Sequence, residues 1–171
     1  MAAKSKKSKK KKPEASSDAG QGKNISENRK ARHKFEILEQ IECGIVLIGS
    51  EVKSLRDGKI SLEEAYVRVN DGALWLIGAN ISEYKQASIW NHDPLRPRKL
   101  LVHRRQFKKL AEKAFEKGLT LIPMRIYFNA RGIVKLNVGV GRGKKLHDKR
   151  ESMKKADVKR QIDRAMRNRR K

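Results

Sequence analysis

A mainly β protein, closed into a small barrel between two basic tails, is predicted by three features of this 171-residue sequence. Short runs of apolar residues recur with a period of two and are separated by turn signals. One sustained amphipathic helix stands just before the last pair of such runs. Residues 1–27 and 144–171 are dense in Lys and Arg and too poor in apolar residues to join a core.

The elements follow in order. Residues 1–27 are expected to be disordered, with structure beginning near Asn28. Phe35, Ile37 and Ile41 alternate with Lys34, Glu36, Leu38 and Gln40, which is strand spacing. Gly44 interrupts, and Ile45-Val-Leu-Ile48 reads as a second strand or as a bent continuation across a bulge. Ser50 to Leu55 has the length of a helical turn or two, ended by Asp57-Gly58. Ser61-Leu-Glu-Glu64 has the form of a capping box for another short helix. Ala65–Val69 and Ala73–Ile77 flank Asn70-Asp-Gly72, a hairpin whose Asp-Gly pair tolerates the positive φ of a tight turn. Residues 88–98 form a loop punctuated by two prolines. From His103 to Lys117, Phe107, Leu110, Ala111, Ala114 and Phe115 share one helix face, and Gly118 offers a C-cap. Leu119–Phe128 and Ile133–Val140 then pair across Asn129–Gly132. About six short antiparallel strands in residues 28–143 suit a barrel of OB type, because closure removes exposed sheet edges.

Charge points to a polyanionic partner. The net charge is +24, spread as +5 over residues 1–28, +10 over 29–143 and +9 over 144–171. A basic fold with more basic arms is the electrostatic footprint of nucleic-acid binding. A bilayer is the weaker partner, for no apolar run approaches the ~20 residues a spanning helix needs, and Lys-rich residues 1–12 lack the apolar stretch of a signal peptide. In the tail, Val158, Ile162, Ala165 and Met166 share one helical stripe among cations. So charged and short a helix is marginal in water, which predicts disorder when free and helix when bound.

Catalytic chemistry finds no support. His33, His92, His103 and His147 lie in different elements, and the single Cys43 cannot complete a zinc site. Cys43 is expected as a small buried strand residue in a reducing, cytoplasmic protein. Gly139-Val-Gly-Arg-Gly-Lys-Lys145 fails as a phosphate loop, since Val138 stands where the first Gly is needed and Lys145 where Ser or Thr is. It reads as a flexible exit from the last strand. The Glu63-Glu64 pair suits a helix start better than acid–base work. Phe35, Phe107 and Phe115 are placed for the core, with Trp75 and Tyr66 half-buried on the hairpin. That leaves few rings for coating single strands, so recognition of a folded RNA by shape and backbone is favoured. Trp90 and His92 are the candidate exposed stackers. No enzyme, metal or cofactor is expected.

Several of these segments together resemble one family. Asn28-Arg-Lys-Ala-Arg-His33, Glu42-Cys-Gly44, Gly49-Ser-Glu-Val-Lys-Ser-Leu-Arg56, Asp93-Pro-Leu-Arg-Pro-Arg-Lys-Leu-Leu101 and Gly143-Lys-Lys-Leu-His-Asp-Lys-Arg150 are similar to the SsrA-binding protein (small protein B) family. The resemblance runs unbroken over about residues 28–168. It implies an OB-type barrel that binds the tRNA-like domain of transfer-messenger RNA. The charged RNA travels with elongation factor Tu to stalled ribosomes, where peptide tagging and ribosome release follow. By match to the family pattern, Asn28, Arg29, Arg32, His33, Glu42, Leu101 and Lys135 belong to the RNA-facing side. Gly143, Lys144, Lys145, His147, Asp148, Lys149 and Arg150 match the segment entering the decoding centre, with Ile162 and Met166 in the part that becomes helical in the empty message channel. Val158 stands where the family often has Trp, and Asn137 where a charged residue is common. The alternative is a constitutive ribosomal protein with a barrel and a basic extension.

Overall fold

The computed structural model describes residues 23–145, 148, 158, 160–162 and 164–166. Its elements are β1 (Asn24–Glu27), α1 (Arg29–Lys34), β2 (Phe35–Ile45), α2 (Gly49–Arg56), β3 (Ile60–Ser61), β4 (Tyr66–Asn70), β5 (Ala73–Ile77), β6 (Asn80–Ile81), a 3-10 helix (Lys85–Trp90), β7 (Arg98–Leu101), α3 (Arg104–Phe115), β8 (Leu119–Phe128) and β9 (Val134–Gly143).

Alternating apolar residues make strands that must bury one face, and here they do so by closing on themselves. Six antiparallel strands form a ring, β4-β5-β7-β2-β9-β8, which Val67 opposite Leu121 closes back onto β4. Inward residues such as Ile41, Cys43, Val67, Leu76, Leu100, Leu136 and Val138 fill it. Leu110 of α3, completely buried, packs onto that core; burying such a side chain is worth about 1.5–3 kcal/mol. The hairpin turn has Asp71 at φ 48° and Gly72 at φ 65°, as the Asp-Gly pair predicts. Burial pushes the Cys43 thiol up to about 12, so it is an inert core residue.

Several expectations change. Order begins before Asn28: Asn24–Glu27 add a seventh strand to the sheet outside the ring, on β8. The stretch 29–34, part of a family motif in the sequence, is a helix. Gly44 does not break its strand, because β2 runs through to Ile45 with its irregularity earlier, between Ile37 and Glu39. Ser61–Glu64 make no helix; Ser61 ends β3, and a turn follows. Arg98, the last residue of the predicted loop, begins β7 with residues 99–101, for which the sequence predicts no element; β7 joins β5 to β2. β9 continues through the glycine run to Gly143 rather than ending in a flexible exit. A Cβ at Gly141 would meet Ile122 Cδ1 at 3.0 Å and Phe35 Cβ at 3.2 Å, so glycine there serves close packing. Phe115, at the last turn of α3, is 79% exposed and not a core residue. Tyr66 is exposed as well, while Trp75 is half-buried as expected.

Candidate nucleic-acid interface

The site is built on the outer face of β2, β9 and β8, where α1 and the start of the tail meet. α1 is only six residues long, so its caps matter. Asn28 Oδ1 accepts the Ala31 amide at 3.0 Å, and Arg32, His33 and Lys34 in the last turn complement the helix dipole. Lys144 closes the other end: its amide donates to the Lys34 carbonyl and its Nζ to the Arg32 carbonyl, both at 3.0 Å. Ala31 packs with Ile122 and Met124, against which Phe35 and Ile37 lie. This small apolar cluster docks α1 on the barrel wall and leaves Arg29, Arg32 and His33 exposed. Arg32 pairs with Glu27 at 2.9 Å. Beside α1 runs an open groove of about 580 Å³, lined by Arg32, Gln40, Lys144 and Asp148 among others.

Further along the same face the strands bring a polar row together. Glu42 lies opposite Asn137, and Asn137 opposite Arg125; Gly44 lies opposite Lys135, and Lys135 opposite Tyr127. Leu101 extends the second row onto β7, where it faces Gly44 and is 53% exposed. Gly44 is what lets Leu101 lie close, for a Cβ there would sit 3.3 Å from the Leu101 Cβ. Glu42 accepts a hydrogen bond from the Tyr127 hydroxyl and lies 3.4 Å from Lys135 Nζ. The Tyr127 bond, above all, and Lys135 hold the Glu42 carboxyl below its ordinary pKa. Burial, then Glu42, pushes the Tyr127 phenol up to about 12. Arg125 stacks over the Tyr127 ring at 4.9 Å. With its side chain 52% exposed, the ionised Glu42 keeps acceptor capacity turned to solvent.

A family model, SmpB protein, matches residues 25–168. The chain belongs to the SmpB family. It is 58% identical over 143 residues to the SsrA-binding protein of Rhodopirellula baltica, covering 84% of this chain and 81% of that one. It is 49% identical over 146 residues to the SsrA-binding protein of Thermosynechococcus vestitus, covering 85% and 95%. Among solved structures, one described as "tmRNA-SmpB: a journey to the center of the bacterial ribosome" superposes with a TM-score of 0.61 at 50% identity, over 71% of this chain and 85% of that one. The mainly β barrel is thus the family's fold.

The expected residues divide into four groups. Glu42, Lys135 and Leu101 stand in neighbouring strand rows, Arg29, Arg32 and His33 are exposed on α1, and Gly143, Lys144, Lys145 and Asp148 lie beside α1, where Asp148 Oδ2 accepts the Lys145 amide at 3.2 Å. Asn28 is different. It is 2% exposed, its Nδ2 donates to the Leu62 carbonyl at 2.8 Å and its Oδ1 caps α1, so its side chain positions the helix instead of facing a ligand. His147, Lys149 and Arg150 lie outside the described residues. In the tail, Val158, Ile162 and Met166 are helical and exposed.

Of the two candidate stackers, Trp90 is exposed but His92 is not. Its ring nitrogens face Ser50 Oγ at 2.9 Å and the Ile81 carbonyl at 3.1 Å, which makes His92 a fixed wedge under its loop. Sequence reasoning missed Tyr127 and Arg125 as partners of the polar row. Their spacing of two was readable, but Tyr127 meets Glu42 across 85 residues of chain. Among the described residues no group of three His, Cys, Asp or Glu is placed to hold a metal ion, and no helix is long and apolar enough to cross a membrane.

Proposed function

We propose that this protein is an RNA-binding adaptor of trans-translation. In this reading the outer face of β2, β9 and β8, with α1, takes the tRNA-like domain of transfer-messenger RNA. Arg29, Arg32 and Lys135 neutralise backbone phosphates. Glu42 accepts hydrogen bonds from base or 2′-hydroxyl donors, the way a protein reads folded RNA by shape. Leu101 supplies an apolar contact at the edge of the site. The segment Gly143, Lys144, Lys145, His147, Asp148, Lys149 and Arg150 enters the decoding centre of a stalled ribosome, and the helix bearing Ile162 and Met166 occupies the empty message channel. Elongation factor Tu participates only through the charged RNA.

The observation that carries this is an acid held ionised at the centre of a basic surface. In a protein of net charge +24, an exposed carboxylate fixed by Tyr127 and Lys135 suits hydrogen-bond donors on a structured RNA better than a uniform phosphate track. Its support is membership of a family whose relatives are called SsrA-binding proteins, and a structural neighbour described with tmRNA in the bacterial ribosome.

The test is competition at near-physiological salt: labelled tRNA-like domain against excess bulk tRNA and unstructured RNA. Selective retention of the tRNA-like domain is expected. Removing residues 146–171, which keeps the Lys144 closure of α1, should leave that selectivity and abolish peptide tagging. Equal competition by every RNA, or ribosome binding indifferent to stalling, would favour a constitutive ribosomal protein.

A further inference from the structure

Arg68, Trp75 and Lys99 stand opposite one another on three neighbouring strands, β4, β5 and β7. Their chain neighbours Val67, Leu74, Leu76, Arg98 and Leu100 are buried, so strand alternation turns all three outward. Arg68 and Lys99 are exposed and Trp75 is half-buried. The indole Nε1–H donates to the Asn70 carbonyl at 3.3 Å, which ties the ring edge to the hairpin turn.

Two features define this row. Some lysines of the barrel are neutralised by acids: Lys30 pairs with Glu63, Lys59 with Asp57, and Lys109 and Lys113 with Glu39. Arg68 and Lys99 make no ion pair with any described residue. Nor does either cation lie over the indole; among the described residues the cation–π pairs are Lys53 with Tyr84 and Arg125 with Tyr127. The acids near the hairpin, Glu64 and Asp71, sit at its two ends. Its middle is an aromatic face between two unneutralised cations. A groove of about 330 Å³, lined by Ala73, Lys99, Leu101 and Arg104 among others, adjoins it. Leu101, two residues from Lys99 on the same side of β7, joins this row to the polar row of Glu42 and Lys135.

We infer that Arg68, Trp75 and Lys99 form a stacking platform for an unpaired nucleotide of RNA. The base lies on the indole face, the flanking phosphates are held by Arg68 and Lys99, and the strand leaves along the groove toward Leu101. Stacking on a ring tolerates any base, and two cations either side follow the backbone. A protein partner would instead be offered one ring between two charges, too small an apolar area for a stable contact. The inference rests on the protein being RNA-binding, and adds a single-stranded element to a surface otherwise suited to folded RNA.

The sequence contains two tryptophans, so Trp90→Phe leaves Trp75 as the sole indole of the full chain. Titration of that protein with unstructured eight-nucleotide oligouridylate or oligoadenylate should quench its emission saturably. Binding of the labelled oligomer, followed by anisotropy, should weaken roughly 5- to 150-fold on Trp75→Leu, the range for losing one stacked base. Trp75→Phe, which keeps a ring, should recover most of it. Arg68→Ala and Lys99→Ala should each flatten the logarithmic salt dependence by about 0.7.

Oligomer binding without quenching would mean that the basic tails alone hold it, and would overturn the platform. So would equal affinities for the Leu and Phe variants, or equal quenching by an acidic peptide. Selectivity for the tRNA-like domain is read separately by the competition above. Quenching lost with selectivity kept removes only the platform; selectivity lost with quenching kept removes only the adaptor reading.

Discussion

Glu42 and Glu51 are nine residues apart, and each carboxylate is held by cations, yet they do opposite work. Glu51 is completely buried. Its two oxygens accept Arg96 Nε at 3.0 Å, Arg96 Nη2 at 2.8 Å, Arg98 Nε at 2.8 Å and the Ile48 amide at 2.8 Å. Arg98, equally buried, gives three further hydrogen bonds to the carbonyls of Ala79, Arg96 and Pro94. Burial works to raise the Glu51 pKa, and the bonds from Arg96, Ile48 and Arg98 overcome it and hold the carboxyl low. Every lone pair is used, so the cluster pins the loop before β7 to α2 and offers nothing to a ligand. Glu42 has one phenol, one ammonium at 3.4 Å and open solvent. The lesson is that an acid among cations marks a binding site only when its hydrogen-bonding capacity is unfilled.

That contrast can be broken most forcefully from the buried side. Glu51→Gln leaves Arg98 as an uncompensated buried charge and should cost about 3–5 kcal/mol in urea unfolding. Adding Arg98→Met should recover part of the loss. A change within 1 kcal/mol would mean that the cluster is not the clamp described. Because the folded Glu51 pKa is depressed, its contribution is present above the unfolded carboxyl value near 4.5 and is lost as pH falls through the folded value. Wild-type stability should therefore drop on acidification below about that pH, with the Glu51→Gln protein showing a shallower slope.

The backing of the exposed face comes next. Gly141→Ala puts a methyl against Ile122, Ile37 and Phe35 at 3.0–3.2 Å, and should cost about 1–3 kcal/mol by overpacking the cluster beneath α1. A neutral outcome in the same unfolding assay would show that the wall under α1 yields.

The smallest stability effect belongs to Glu42. Glu42→Ala should change unfolding free energy by less than about 1 kcal/mol, since the pair with Lys135 is solvent-screened. Affinity for the tRNA-like domain should nonetheless fall about ten- to hundredfold, the worth of hydrogen bonds to a charged group. Unchanged or tighter RNA binding, as added positive charge alone would give, would remove Glu42 from the interface.

The site was legible in the sequence only in part. Arg29, Arg32, His33, Glu42, Leu101 and Lys135 were named by family pattern; the strand registers bring Glu42, Lys135 and Leu101 into neighbouring rows, and α1 carries Arg29, Arg32 and His33 exposed. Asn28 came from the same motif, but its side chain turns inward, because a motif records that a residue type is needed and not which way it points. His92 shows the same limit: a histidine in a proline-bounded loop looks accessible until Ser50 and the Ile81 carbonyl are placed around it.

What the sequence determined by itself was local or summed. The Asp71-Gly72 hairpin, α3 and the pairing of β8 with β9 each rest on spacing within a few residues, where turn chemistry and periodicity act directly. The basic character needs only a count. Tertiary structure alone decided the closure of the ring through β7, a four-residue strand too short to carry a period. It alone decided that β1 pairs with β8 about a hundred residues later, that Glu51 meets Arg98, and that Glu42 meets Tyr127. These contacts form only once the barrel has met the entropy cost of bringing distant segments together, so no window of the chain contains them.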